Sequence, residues 1–225
     1  MASVNESATG AGTGATAAAT PSRRDPERTR ENILQAALAE FADKGLGGAR
    51  VDEIAQRAGA NKRMLYHYFG NKEDLFLAVL ERAYERIRGA ETRLHLTELE
   101  PIAGMRELIR FTFNYLVEAP HFIRLLNSEN LHQARHLKKS KRVRELHSEM
   151  LEMIGDLLRR GTARGDFRDD VDPTQLFISI TGVCYFYFSN IHTLSTIMGA
   201  DLSTKAALQT REAHAIAVIL GYLRP

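Results

Sequence analysis

Residues 51–76 read VDEIAQRAGANKRMLYHYFGNKEDLF, and their pattern indicates the fold of the N-terminal part of the chain. Two sets of apolar residues recur in it at helical spacing, first Val51, Ile54 and Ala55, then Met64, Leu65, Tyr68 and Phe69. Gly59 lies between the sets, where a sharp turn needs the left-handed backbone that glycine adopts without steric cost. Asn61 is a good N-cap for the second helix. The stretch therefore predicts a helix-turn-helix.

The charge around this turn has one sign. From Arg57 to Lys72 the charged residues are Arg57, Lys62, Arg63 and Lys72, with no acid among them. Such a local basic surface is typical of a face that meets phosphate. The whole chain has a net charge of only +2, so a nucleic-acid-binding role depends on this local face.

The same region resembles the DNA-binding domain of the TetR family of transcriptional regulators, over roughly residues 29–80. Four motifs carry the resemblance, in order and at the family's spacing: Phe41 with Gly45, Glu53-Ile54-Ala55 with Ala58-Gly59, Leu65-Tyr66-His67-Tyr68-Phe69, and Asn71-Lys72-Glu73-Asp74-Leu75. Residues 171–225 are similar to the C-terminal domain of the branch that includes the pyrimidine-utilisation regulator, at Asp172-Pro173, Leu176, the Gly199-Ala200 turn and Leu223-Arg224-Pro225. The resemblance implies a dimer that binds operator DNA and a small-molecule pocket in the larger domain.

Length and composition fit a globular regulator. The 225 residues are 44% hydrophobic and 26% charged, which is ordinary for a soluble protein with one or two domains. The single cysteine, Cys184, excludes an internal disulfide and suits a reducing compartment. No apolar run reaches the roughly 20 residues that span a bilayer, and the N-terminus lacks the features of a secretory signal. We expect a cytoplasmic protein without a membrane partner.

The chain is predicted to be all-α, with three parts: a disordered arm at residues 1–22, a helix-turn-helix DNA-binding domain at 23–70, and a connecting helix with a ligand-binding and dimerisation domain at 71–225. Helices are expected at 26–43, from 51, from 62, and at 72–89, 102–117, 122–131, 140–162, 172–198 and 203–223. Arg23, Arg24, Arg28 and Arg30 fit either a solvated helix start or an arm that reaches DNA.

A recognition helix places its first residues in the major groove. The predicted DNA-binding residues are Arg50, Asn61, Lys62, Arg63, Met64, Tyr66, His67 and Lys72. Arg63 is the best candidate for a base, since its planar fork suits the edge of guanine. Arg50 stands where the family usually has a capping Ser or Thr, so the cap of the second helix should be weaker by about 1 kcal/mol.

The segment from Leu176 to Leu194 is apolar almost all round, which requires burial on more than one side. The last helix offers small residues that permit close approach of another helix. We predict a homodimer whose interface includes Val183, Tyr187, Ile191, Ala213, Ala217 and Gly221. The alternative is that these residues form an intramolecular core.

Aromatic and polar residues of the larger domain are candidates for an effector pocket: Phe111, Asn114, Tyr115, Phe122, Leu126, Glu129, Asn130, Met150, Phe177, Thr181, Tyr185 and Phe188. The alternative for each aromatic residue is ordinary core packing. Buried polar groups are more telling, because burial without a partner costs free energy.

No cofactor or metal is expected. The one weak metal candidate is His132 with His136, at i and i+4, and Glu129 one turn earlier; the alternative is a polar surface beside the basic run 135–144. Motifs of hydrolases, zinc proteases and phosphate-binding loops are missing from any usable context, which argues against an enzyme.

These patterns predict a sequence-specific transcriptional regulator, a homodimeric repressor that a small molecule releases from a palindromic operator. An architectural DNA-binding dimer without an effector is the alternative, and it would have a tightly filled larger domain. A protein-interaction module would lack the basic face of the third helix.

Overall fold

The computed structural model describes residues 25–225, which fold into ten α-helices and one short 3-10 turn, with no strand. The predicted arm at 1–22, together with Arg23 and Arg24, lies outside the described residues. The helices are α1 Pro26–Gly48, α2 Val51–Arg57, α3 Lys62–Phe69, α4 Lys72–Thr92, α5 Pro101–Glu118, α6 Pro120–Leu131, α7 Lys141–Arg164, α8 Pro173–Ser189, α9 Ile191–Met198 and α10 Lys205–Leu223. The all-α prediction is confirmed.

Helices α1 to α3 form the predicted helix-turn-helix unit. Gly59 adopts φ +63° in the turn, and the Asn61 side chain accepts a 2.9 Å hydrogen bond from the Met64 N–H, as an N-cap does. Leu65 and Ile54 are fully buried, and α2 packs against α1 while α3 packs against α2 and α4. Because α2 and α3, with 7 and 8 residues, are too short to be stable alone, this shared apolar core fixes the orientation of α3.

Helix α1 is longer than the predicted span to residue 43. It continues to Gly48 across a kink at Gly45, whose φ of +65° suits glycine. Buried Glu40 lies just before the kink, where it accepts a 3.1 Å hydrogen bond from the Arg50 N–H and a 2.9 Å bond from Lys44. These bonds tie the kinked end of α1 to the start of α2.

Helix α4 leads from this unit into the larger one. Its first turn is capped by Asn71, which accepts from the Asp74 N–H at 2.9 Å. Phe76 packs edge-on against Phe41 of α1, with ring centroids 5.1 Å apart. Farther along, α4 packs on α7 and α5, while α6 lies against α1. The same helix therefore contacts both halves of the chain.

Helices α5 to α10 form the larger unit, and two predicted boundaries there are wrong. The predicted helix at 172–198 is two helices, because Asn190 leaves helical geometry (φ −119°, ψ 9°) and its side chain donates to the Phe186 carbonyl at 2.9 Å. The last helix is capped by Thr204, whose hydroxyl accepts from the Ala207 N–H, and not by Ser203. None of the helices formed by residues 25–225 is long and apolar enough to cross a membrane.

Candidate nucleic-acid interface and effector cavity

The exposed face of α3 carries the polar residues predicted for DNA. Lys62, Arg63, Tyr66 and His67 are all exposed, and the Arg63 guanidinium has no hydrogen-bond partner among residues 25–225. Met64 is half-buried. The Asn61 side-chain oxygen accepts the capping hydrogen bond, so its amide nitrogen remains available as a donor. The geometry presents a free planar donor at the start of a helix, as major-groove reading requires.

Two of the predicted DNA contacts, Lys62 and Lys72, have side-chain partners within the protein, and the side chain of a third, Arg50, has none among residues 25–225. Lys62 forms a 3.1 Å ion pair with Asp52 of α2. Lys72 donates to the Gly47 carbonyl at 3.4 Å. The Arg50 side chain is exposed and makes no capping bond to α2, as expected. Because exposed ion pairs are weak, phosphate can replace Asp52 as the partner of Lys62.

A partly open cavity of about 200 Å³ lies between α4, α5, α6, α7 and α8. Its wall is mainly apolar and aromatic, and it includes six of the twelve predicted pocket residues: Phe122, Leu126, Met150, Phe177, Thr181 and Tyr185. Sequence reasoning missed several polar members of the wall, namely Tyr84, Arg88 and Glu91 on α4, Thr112 on α5 and His147 on α7.

The other predicted pocket residues lie outside this cavity. Asn114 donates to Glu212 of α10 at 3.3 Å, and Phe188 packs on Phe113 with centroids 4.9 Å apart. Tyr115 lines a second cavity, beside α1. Phe111 is half-buried next to Tyr115, and Asn130 is exposed. Helical spacing alone does not separate these residues from those that line the first cavity.

The cavity contains a buried ion pair that decides its electrostatics. Arg88 Nη1 donates to Glu91 Oε2 at 2.5 Å, one turn along α4, and both residues are over nine-tenths buried. Burial raises the pKa of Glu91 to about 7, and the opposing effect of the Arg88 charge only partly offsets it. Burial, reinforced by the Arg88 charge, also lowers the pKa of His147. The cavity therefore holds one permanent cation beside a carboxyl group that is partly protonated at neutral pH.

The weak metal candidate has a structural role instead. Glu129 is buried and accepts three hydrogen bonds, from the backbone N–H groups of His136 and Leu137 at 2.9 Å each and from His136 Nδ1 at 2.6 Å. The other ring nitrogen of His136 accepts from Arg135 at 3.2 Å, and His132 Nδ1 bonds the Ser128 carbonyl at 2.7 Å. Within residues 25–225 no group of three ligating side chains could hold a metal ion. Glu129 thus fixes the turn after α6 and does not line the cavity.

The predicted dimer residues fall on two different faces. Ala213, Ala217 and Gly221 are exposed on α10, as a dimer surface requires. Tyr187 is buried within the chain, where its hydroxyl donates to the Leu202 carbonyl at 2.7 Å. Val183 and Ile191 are half-buried. The large apolar residues that α8 exposes are Ile178 and Phe186, which the dimer prediction does not include.

Comparisons with known proteins agree with this architecture. Residues 33–79 match the model of "Bacterial regulatory proteins, tetR family", and residues 101–219 match "Tetracyclin repressor-like, C-terminal domain". The chain is 42% identical over 181 residues to the HTH-type transcriptional repressor NicS of Pseudomonas putida, an alignment that covers 80% of this chain and 85% of NicS. It is 27% identical over 198 residues to the HTH-type transcriptional regulator RutR of Escherichia coli K12, covering 87% and 91% of the two chains.

A solved structure, that of the transcriptional regulator SCO4942 from Streptomyces coelicolor, superposes with a TM-score of 0.66 at 25% identity, over 88% of this chain and 99% of that one. The chain therefore belongs to the TetR family. It is a DNA-binding transcriptional repressor of that family and not an enzyme. The resemblances to the family and to its pyrimidine-utilisation branch are confirmed.

Proposed function

We propose that this repressor is a cytoplasmic homodimer that binds a palindromic operator and leaves it when a small molecule fills the cavity bounded by α4 to α8. In this proposal residues 23–70 bind DNA, and residues 71–225 bind the effector and the second subunit. Two recognition helices about 34 Å apart would read half-sites one DNA turn from each other.

The observation that carries the proposal is the double role of α4. Its C-terminal half supplies Tyr84, Arg88 and Glu91 to the cavity wall. Its N-terminal half places Phe76 against Phe41 in the DNA-binding unit. A ligand that repacks the C-terminal half of a rigid helix also displaces its N-terminal half. Such a ligand regulates DNA binding only if it binds the two arrangements with different affinity.

A second connection runs beside α4. The turn after α6, fixed by Glu129, places the His136 ring edge-on against Phe76, with centroids 5.1 Å apart. Arg135 of the same turn reaches Glu73 at the start of α4 at 2.8 Å, and Ser140 donates to Glu81 at 2.6 Å. These contacts join α6, which forms part of the cavity wall, to the end of α4 that lies on the DNA-binding helices.

The cavity also weighs against an architectural dimer without an effector. Such a protein gains nothing from an interior space, whose apolar walls lose packing contacts. Nor does it gain from ionised groups buried around that space, because their desolvation is costly. A ligand site explains both features.

The exposed apolar residues of α8 and α10 support a dimer. Phe186 and Ile178 are 57% and 54% exposed, and Tyr222 and Val218 on α10 are 45% and 44% exposed. Large apolar side chains gathered on two neighbouring helices are typical of a contact surface. A second copy of the chain would cover them with the same helices around a two-fold axis.

The test begins with selection of binding sites from random DNA by the full chain. Inverted repeats are the expected product, and fluorescence anisotropy then reports release of the selected DNA as metabolites are added. The Phe76→Ala variant separates binding from coupling, because it leaves the cavity wall and α3 unchanged and removes the ring between them. Release by no metabolite, or equal release from the wild type and Phe76→Ala, would contradict the proposal.

A further inference from the structure

Arg88 is the most unusual group in the cavity wall. Its side chain is over nine-tenths buried, yet only Nη1 has an acceptor. Nε is buried with no hydrogen-bond partner, and Nη2 has none among residues 25–225. Buried donors without acceptors are rare in folded proteins, since each one costs free energy. This guanidinium therefore has hydrogen-bonding capacity that no described residue uses.

The acceptor that Arg88 does have is a poor anion. Burial raises the pKa of the Glu91 side chain to about 7, so its ionised form is no longer strongly favoured at neutral pH. His147, which also lies near Arg88, has a lowered pKa, so its neutral ring adds no charge. Glu91 therefore neutralises Arg88 only in part near neutral pH, and an anion that entered would be held in a low-dielectric setting.

The rest of the wall specifies what must accompany the anion. The Phe177 ring lies under the Arg88 guanidinium, with 5.5 Å between the ring centroid and Cζ. The edge of the His147 ring meets the Phe177 ring, with centroids 4.6 Å apart. Phe122 and Tyr84 form a second aromatic pair at 5.6 Å. The cavity volume of about 200 Å³ is small for a ligand site. These features fit one flat ring stacked among aromatic side chains.

We propose that the effector is a small planar carboxylic acid, whose carboxylate binds the Arg88 guanidinium at its Nη side, where Nη2 is unpartnered, and whose single ring lies between the aromatic pairs of the wall. A carboxylate matches the guanidinium fork with two parallel charge-assisted bonds. His147, which has no hydrogen-bond partner among the described residues, is placed to read a polar substituent on the ring. This assignment rests on the proposed function of the cavity as an effector site.

The test compares two probes of the same shape. Benzoate carries the anion, whereas benzamide is its neutral counterpart, and both are titrated calorimetrically into the full chain. Benzoate is expected to bind roughly tenfold or more tightly than benzamide, because a hydrogen bond to a charged group is worth more than one between neutral groups. Cyclohexanecarboxylate, which has the charge without the flat ring, should bind more weakly than benzoate.

Variants of Arg88 assign the site. Arg88→Met removes the charge with little change of length and should abolish the preference for benzoate, whereas Arg88→Lys should retain part of it. Arg93→Met is the matched control, since Arg93 is exposed at the end of the same helix; it should bind both probes like the wild type. If Arg88→Met does not fold, the probe comparison on the wild-type chain and on Arg88→Lys still decides.

Equal binding of benzoate and benzamide, binding of neither, or an unchanged preference in Arg88→Met would refute the acid assignment. These results do not test effector release, which is measured separately as metabolite-induced release of operator DNA. Conversely, a benzoate preference that depends on Arg88 supports the site even if no tested metabolite releases the DNA.

Discussion

The DNA-binding helices and the larger unit distribute charge in opposite ways. In α1 to α3 the core is apolar apart from Glu40, and the cations Arg50, Lys62 and Arg63 are exposed. In the larger unit, charged groups such as Arg88 and Glu129 are buried, whereas large apolar side chains lie on the surface. Each arrangement costs free energy in isolation, and each is complementary to a partner: phosphate for the first, a second subunit and a polar ligand for the other.

The largest effect on dimerisation and operator binding is expected when a charge is placed on the apolar surface. Ala217→Glu is expected to give monomers and to abolish operator binding, because a carboxylate buried without a partner costs several kcal/mol and a single half-site makes too few contacts. Sedimentation velocity measures the first effect, and anisotropy with operator DNA the second. Ala103→Glu, the same change at an exposed position of α5, should leave both unaltered. A stable Ala217→Glu dimer with normal affinity would locate the interface elsewhere.

The next largest effect concerns a buried charge with complete hydrogen bonding. Glu129→Ala leaves two backbone N–H groups and the His136 ring without their acceptor. We expect a loss of about 3–5 kcal/mol in the free energy of unfolding. Urea denaturation measures it, with Glu145→Ala, an exposed change on α7, as the control expected within about 0.5 kcal/mol of the wild type. Equal stability of the two variants would mean that the turn after α6 does not depend on Glu129.

The DNA-binding side of the comparison predicts two distinguishable losses. Arg63→Ala should relax preference at one base pair by about 1–3 kcal/mol, because its free guanidinium has the geometry for a guanine edge. Lys72→Ala should weaken binding to all sequences alike and lower the salt dependence by about one phosphate contact. Anisotropy with operator variants and with random DNA, over a range of salt, separates the two. If both variants lose the same affinity for every sequence, Arg63 does not read a base.

The two units were also unequally predictable from sequence. In the DNA-binding unit local signals decide the structure: Gly59 permits one turn and Asn61 caps one helix, and both were confirmed. In the larger unit helical spacing told apolar from polar faces but not which neighbour each face meets. Tyr187 was therefore assigned to the dimer surface, although it is buried within the chain.

For the same reason, only half of the predicted pocket residues line the cavity. Aromatic spacing indicates Phe122 and Phe177, but no pattern in the sequence distinguishes Arg88 and Glu91 from other charged residues of the helix. Only the tertiary packing of α5 to α8 over α4 buries them. A charge that is paired at i, i+3 has the same sequence signature at the surface and in the interior, so no local pattern could reveal this site.

The smallest predicted effect sharpens the role of the buried pair. Glu91 competes with an incoming carboxylate for Arg88 only when it is ionised, and its pKa is about 7. Below this pH Glu91 is protonated and releases Arg88; above it, Glu91 holds the guanidinium. Benzoate, a carboxylic acid with an ordinary pKa of about 4, is ionised throughout. Its affinity should therefore fall about tenfold from pH 6 to pH 8, following the protonated fraction of Glu91.

The other ionisable groups in the wall do not produce this trend. Arg88 remains charged, the lowered pKa of His147 keeps its ring neutral, and burial raises the pKa values of Tyr84 and Tyr185 away from this range. α5 and α6 contribute no titratable side chain to the wall. Calorimetry at pH 6, 7 and 8 measures the affinity, and Glu91→Gln, which cannot ionise, should give a flat profile. An affinity that rises with pH, or a slope that persists in Glu91→Gln, would show that Glu91 does not gate access to Arg88.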